Sequence, residues 1–254
     1  MRPTFVTFLF LSLSFVSSMS AQIKKPDPPA VKVPFSGSLQ AVAVITDNAD
    51  SIHGKARLFQ RRSTRDPWKS VGEYFPVVVG RSGLAWDVDS APVTAREFKK
   101  EGDGRSPAGM MPLTAGFGVS EKPEGLRLPY TRLGEFTECV DDTASTHYNR
   151  IVDRLKVGNF DWKSSEKMLA IGEQYSLGVF VAYNSYPVLR GNGSCIFLHV
   201  WKDADSGTSG CTAMARPDLE RLAAWLDPAK TPYLVQLTAS QYKQYQRSWN
   251  LPKQ

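Results

Sequence analysis

The sequence predicts a mainly β domain, its early strands reading as antiparallel strands and hairpins, with one helix directly after a cysteine-containing turn and another at the C-terminal end. Three observations carry this. Apolar or alternating runs of strand length recur along the chain, separated by Asn/Asp/Gly and Pro signals. Helical periodicity is confined to two short stretches after residue 215, and no internal repeat is visible.

In order, residues 1–20 read as a signal peptide: a single positive charge at Arg2, an apolar run from Phe5 to Val16, then Ser18 and Ser20 ahead of Ala21. That apolar run is shorter than the roughly 20 residues a spanning helix needs, so no stable membrane span is expected after cleavage. Without a cysteine at the cleavage point, a lipid-anchored form is not expected. Residues 21–38 carry Pro26, Pro28, Pro29 and Pro34 among lysines and read as a linker. A single domain is expected over 39–254. Its strands are placed at Leu39 to Thr46, Lys55 to Arg61, Gly72 to Val79, Met110 to Leu113, Gly178 to Tyr183, Ser194 to Trp201 and Tyr233 to Leu237. The first helix is placed at Pro217 to Leu226, where Leu219, Leu222, Ala223 and Leu226 repeat at three and four behind an initial proline. The second is placed at Ser240 to Trp249, with Tyr242, Tyr245 and Trp249 on one face.

The full chain has 254 residues and a net charge of +6. This modest excess is spread out, without the Lys/Arg stripe of a nucleic-acid binder; it suits work beside an anionic polymer or simply keeps the protein soluble. The three cysteines, Cys139, Cys195 and Cys211, are an odd count, which in an oxidising compartment leaves one thiol unpaired or paired between chains. A 139–195 disulfide, a 195–211 disulfide and a set of inert buried thiols are all compatible with the sequence.

The chemistry concentrates at Ser194 to Met214. With a period of two, Cys195, Phe197 and His199 share one strand face while Ile196, Leu198 and Val200 share the other. Twelve positions after His199 comes Cys211, in the turn Thr208-Ser209-Gly210-Cys211. A cysteine in a glycine-containing turn, with a histidine on a nearby strand, is the minimum equipment for thiol acyl transfer. The competing chemistries lack their patterns. Gly207-Thr208-Ser209-Gly210 is not a serine-hydrolase elbow. His53, His147 and His199 show no metal-ligand spacing, so neither metal nor cofactor is expected.

The segment Ile196-Phe197-Leu198-His199 followed by Ser209-Gly210-Cys211 resembles the His and Ser-x-Gly-Cys signature of L,D-transpeptidases of the YkuD (ErfK/YbiS/YcfS/YnhG) family. Gly80 to Trp86, the run Gly102-Asp103-Gly104-Arg105-Ser106-Pro107-Ala108-Gly109, and Cys139 to Asp142 with Tyr148-Asn149 extend the likeness over about residues 75 to 215. Two positions depart from the common pattern: Val200 follows the histidine in place of glycine, and Ala213 stands where Ser-His-Gly-Cys-x-Arg has arginine.

The resemblance implies a β-sandwich or mixed-sheet catalytic domain acting on peptidoglycan stem peptides, and the signal-peptide pattern makes it an exported, periplasmic or wall-associated enzyme. Cys211 is then the nucleophile and His199 the general base and acid, with Ser209 an orienting hydroxyl and the Gly210 backbone an oxyanion donor. Arg81 and Arg105, with Lys99, are candidates to meet substrate carboxylates. The acceptor is left open among a stem amine, a protein lysine and water. A non-catalytic wall-binding module is the reading from another class, and oligomeric state is not legible.

Overall fold

Gln40–Thr46 (β1) is buried at every position, as its near-continuous apolar run requires of a strand flanked on both sides. In the computed structural model, which describes Met1 and residues 35–254, it is followed by β2 (His53–Gln60), β3 (Lys69–Val78), β4 (Leu84–Trp86), β5 (Ser106–Gly118) and β6 (Tyr130–Arg132). Then come β7 (Thr137–Cys139), β8 (Ile151–Asp153), helix α1 (Arg154–Val157), β9 (Glu166–Lys167), a 3₁₀ segment at Met168–Tyr175, β10 (Leu177–Val181) and β11 (Phe197–Val200). The chain ends with β12 (Thr212–Met214), α2 (Arg216–Trp225), β13 (Tyr233–Thr238) and α3 (Ala239–Tyr245).

The main sheet runs β10-β11-β12-β3-β2-β1-β13-β5-β4, and β5 also pairs with β10, so the sheet closes on itself. Closure depends on the length of β5. Gly109 to Pro112 pair with β13, and Leu113 to Gly118 pair with β10. The sheet is mixed: β1 runs parallel to β13 and β11 parallel to β12, while β12–β3 and, as expected for the early hairpins, β1–β2 and β2–β3 are antiparallel. The expected strand Met110 to Leu113 is only the middle of β5, because Pro107, Gly109, Gly116 and Gly118 mimic strand breakers. Gly109 is required there: at φ 145°, a Cβ would stand 2.6 Å from that of Ser90.

β11 divides the interior. Ile196, Leu198 and Val200 enter the main core with Val42, Val44, Leu219 and Leu222. On the other face, Cys195 and Phe197 pack with Phe117, Cys139, Met168, Tyr175 and Cys211. The period-two reading of this strand therefore assigns its two faces as observed. α2 starts one residue before Pro217 and buries Leu219, Leu222 and Ala223. α3 opens with a capping box between Thr238 and Gln241. It stops as regular helix at Tyr245, and the turn beyond is closed by Leu251 N–H on the Gln246 carbonyl with Asn250 at φ 51°. The Tyr245 and Trp249 rings stack at 4.5 Å and both meet Trp86 edge-on.

A second sheet, β8-β7-β9, has no counterpart among the sequence expectations. The buried Glu138 holds it together, accepting from Trp162 Nε1 (2.8 Å) and Ser165 Oγ (2.6 Å) and pairing with Lys167 Nζ (2.6 Å). The expected signal peptide, and the expected linker up to residue 34, lie outside the described residues. The last residues assigned to the linker are packed: Phe35 is buried, 5.7 Å from the Trp68 ring and 5.4 Å from Tyr233, and the Ser38 carbonyl accepts from Arg61 Nε at 2.7 Å. Among the described residues no helix is long and apolar enough to cross a membrane.

Candidate active site

Parallel pairing of β11 with β12 puts Leu198 opposite Thr212 and His199 opposite Ala213, so the turn between them delivers Cys211 to the entrance of β12, beside Phe197. The Cys211 sulfur accepts from the Phe197 N–H at 3.3 Å and donates to the Cys195 carbonyl at 3.4 Å. The Cys211 carbonyl is clamped by two hydroxyls, Ser106 Oγ (2.7 Å) and Thr208 Oγ1 (2.6 Å). Ser106 Oγ in turn accepts from the Gly80 N–H at 2.8 Å. This close approach explains Gly80, whose added Cβ would lie 2.3 Å from the Gly104 carbonyl oxygen.

The His199 imidazole is buried and its Nδ1 lies 2.7 Å from the Val200 carbonyl oxygen. A carbonyl only accepts, so Nδ1 carries the proton and Nε2 is the basic nitrogen. Burial pulls this histidine down to about 4, partly opposed by the Val200 bond, and burial pushes the Cys211 thiol well up. Both groups are neutral near pH 7. His199, Cys211, Tyr175, Glu166, Thr208 and Ala213 line one cleft of about 230 Å³. Larger cavities beside Lys55 and Lys243, and beside Arg61 and Lys69, have neither thiol nor imidazole in their walls.

Cys139 and Cys195 form a disulfide with Cα atoms 6.0 Å apart, and Cys211 is the free thiol. Of the two pairings the sequence allowed, this one leaves the turn cysteine available. It also fixes the carbonyl that receives the thiol's hydrogen bond. Asn149 Oδ1 accepts from Cys195 N–H at 3.0 Å, supporting a residue held at φ 54°.

The remaining expected site residues are each engaged by a neighbour. Ser209 is exposed on the cleft wall and its hydroxyl accepts from Arg81 Nη1 at 3.1 Å, so the group that orients His199 is the Val200 carbonyl. The Gly210 N–H donates to Thr208 Oγ1 at 3.1 Å, which occupies the proposed oxyanion donor. Arg105 binds the Leu84 carbonyl (3.1 Å) and Asp50 (3.0 Å), bracing the scaffold. Lys99 is buried against Asp103 at 2.7 Å. The other histidines stay apart from the site, His53 at 3.3 Å from Asp205 and His147 at 3.6 Å from Asp161.

Sequence reasoning missed Ser106, Thr208, Tyr175 and Glu166. Thr208 had a signal, a hydroxyl three residues before the cysteine, where turn hydroxyls bond local backbone. Ser106 lay inside a quoted motif without a role. Tyr175 and Glu166 come from a short 3₁₀ segment and a two-residue strand, neither of which has a legible period.

A free thiol and a basic imidazole sharing a cleft on a closed mixed sheet are the equipment of a cysteine acyltransferase domain. The family model of the YkuD L,D-transpeptidase catalytic domain matches residues 60–235, well over half of the chain, and the chain belongs to that family. Comparisons with curated proteins and with solved structures found no match.

Proposed function

We propose that this chain is an exported cysteine acyltransferase that modifies peptidoglycan, using Cys211 as nucleophile and His199 as base. The observation that carries the reading is that the free thiol and the basic imidazole line the same cleft while the other two cysteines are consumed by a disulfide. The signal-peptide pattern of residues 1–20 supports export to the periplasm or wall.

Because burial keeps both groups neutral, no resting thiolate–imidazolium pair is expected. The Cys211 proton passes to His199 Nε2 as the sulfur attacks the carbonyl of the amide joining the L-centre of a stem diamino acid to terminal D-alanine. The new C–S bond gives a tetrahedral oxyanion, stabilised by backbone N–H groups of the turn; Gly210 contributes once it leaves Thr208. His199 returns the proton to the departing D-alanine amine as the C–N bond breaks, leaving a thioester. An amine of a second stem then yields a 3→3 crosslink, a protein lysine yields an anchored protein, and water yields a tripeptide.

Incubation of the purified mature protein with disaccharide-tetrapeptides, with products resolved by mass, tests this. Crosslinked dimer or tripeptide is expected, and Cys211→Ala abolishes both. Product formation by Cys211→Ala, or unchanged tetrapeptide together with no carbapenem adduct on Cys211, would overturn the reading in favour of another nucleophile or a non-catalytic binder.

A further inference from the structure

We propose that Tyr175 is a third catalytic group, donating a hydrogen bond to the Cys211 sulfur as it becomes a thiolate, and that Glu166 is its positioning residue, deciding which way the Tyr175 hydroxyl points. This rests on Cys211 being the nucleophile.

When Cys211 loses its proton, one of its partners turns unfavourable. The Cys195 carbonyl, which accepts from the thiol, then faces a negative sulfur with its lone pairs. The Phe197 N–H can only partly offset this. The Tyr175 side chain packs with Cys211 in one buried cluster and lines the same cleft, so its hydroxyl can turn to the sulfur, where a hydrogen bond favours the thiolate. Its ring is fixed by Phe117 at 5.4 Å and Phe197 at 5.5 Å, and it meets the His199 ring at 5.3 Å. The Tyr175 O–H bond stays intact throughout, and the thiol proton goes to His199 Nε2.

Tyr175 Oη lies 2.7 Å from Glu166 Oε2, and both residues line the cleft. Protonated, Glu166 donates to Tyr175 Oη and leaves the tyrosine proton free to face sulfur. Ionised, it only accepts, holds the Tyr175 O–H in a hydrogen bond directed away from sulfur, and adds a negative charge that raises the Cys211 thiol. The choice falls near neutrality: burial pushes Glu166 up to about 7, the Tyr175 bond opposes this, and Asp141 and Glu101 add to it. Elsewhere in this surrounding, His199 and Lys202 share the cleft, Lys99 acts on Cys211, and Glu138 on β7 is paired with Lys167.

The test is the rate of Cys211 alkylation by iodoacetamide, followed by mass, from about pH 5 to about pH 10, where thiolate content sets the rate. The intact disulfide leaves Cys211 as the labelled thiol. In the wild type the logarithm of the rate should climb, flatten through about pH 7, and climb again. Glu166→Gln, whose amide still donates to Tyr175, should remove the flattening and react about tenfold faster at alkaline pH, the equivalent of one pKa unit. Tyr175→Phe should be about tenfold slower than wild type. A structural role alone would lower the melting temperature without altering the profile's shape. An unbroken wild-type profile, a Glu166→Gln profile that keeps the flattening, or a Tyr175→Phe thiol as reactive as wild type overturns the proposal. If Tyr175→Phe does not fold, the Glu166→Gln profile decides alone. The assay reads the thiol and not turnover, so its failure is distinct from retention of product formation by Cys211→Ala.

Discussion

His199 is oriented by the carbonyl of the next residue, Val200, 2.7 Å from Nδ1. The orienting group of this base is therefore backbone, fixed by the strand that carries the histidine, and no side-chain substitution deletes it. Ser209, which a sequence reading offers for that role, is bonded to Arg81 instead. Ser209→Ala should accordingly keep the wild-type pH profile of turnover, while His199→Ala should lose about 10²- to 10⁴-fold in kcat. A profile shifted by Ser209→Ala would show that the serine reaches His199 during the reaction.

The Cys139–Cys195 disulfide closes a loop across a sequence separation of 56 residues. Chain-entropy arguments give such a crosslink about 4 kcal/mol. The double variant Cys139→Ser/Cys195→Ser should lower Tm by about 10 °C, at the about 2–4 °C per kcal/mol of a domain this size. Since the Cys195 carbonyl receives the Cys211 thiol, turnover should also fall at temperatures where the variant is fully folded. Scanning calorimetry with a parallel activity measurement checks both, and an unchanged Tm would mean that the bridge adds nothing to the fold.

These residues also mark what the sequence discloses. The faces of β11 were legible because a four-residue strand with alternate residues in two cores obeys a strict period of two, and α2 was legible because Leu219, Leu222 and Ala223 repeat at helical spacing. Cys211 and His199 stood out because their residue types and spacing carry chemistry by themselves. Sheet closure did not, since it depends on β5 running straight through Pro107, Pro112 and three glycines that local rules read as breaks. The Glu166–Tyr175 pair was invisible for another reason: its meaning lies in a long-range approach to Cys211, and neither residue sits in an element with a period.

Ser106 gives a separate test of how the nucleophile's backbone is held. Its hydroxyl donates to the Cys211 carbonyl and accepts from the buried Gly80 N–H. Ser106→Ala leaves that N–H without its acceptor, at about 1–3 kcal/mol for an unsatisfied buried group. The expected result is a Tm lower by about 2–10 °C and a reduced kcat, because only Thr208 then holds the Cys211 carbonyl. Thr208→Ser, which keeps the second hydroxyl, should be much closer to wild type in both measurements. Equal losses in the two variants would mean that the methyl of Thr208, and not the hydroxyl clamp, positions the turn.

The site should also leave its mark on the pH dependence of stability, with opposite signs on its two sides. Glu166 is raised to about 7, so the stability it contributes is fully present below its ordinary value near 4.5 and is lost as pH rises through about 7. His199 is lowered to about 4 from 6.5: the folded state disfavours its proton, so stability falls as pH drops from about 6.5 toward about 4. Glu166→Gln removes only the alkaline penalty. Its Tm should exceed that of the wild type by about 5 °C at pH 8, and the gain should shrink toward zero by about pH 3.5, where the glutamate is protonated in both folded and unfolded chains. Thermal melts across that range decide the matter. A gain of the same size at both ends would mean that the substitution acts through packing and that Glu166 ionises without cost in the folded protein.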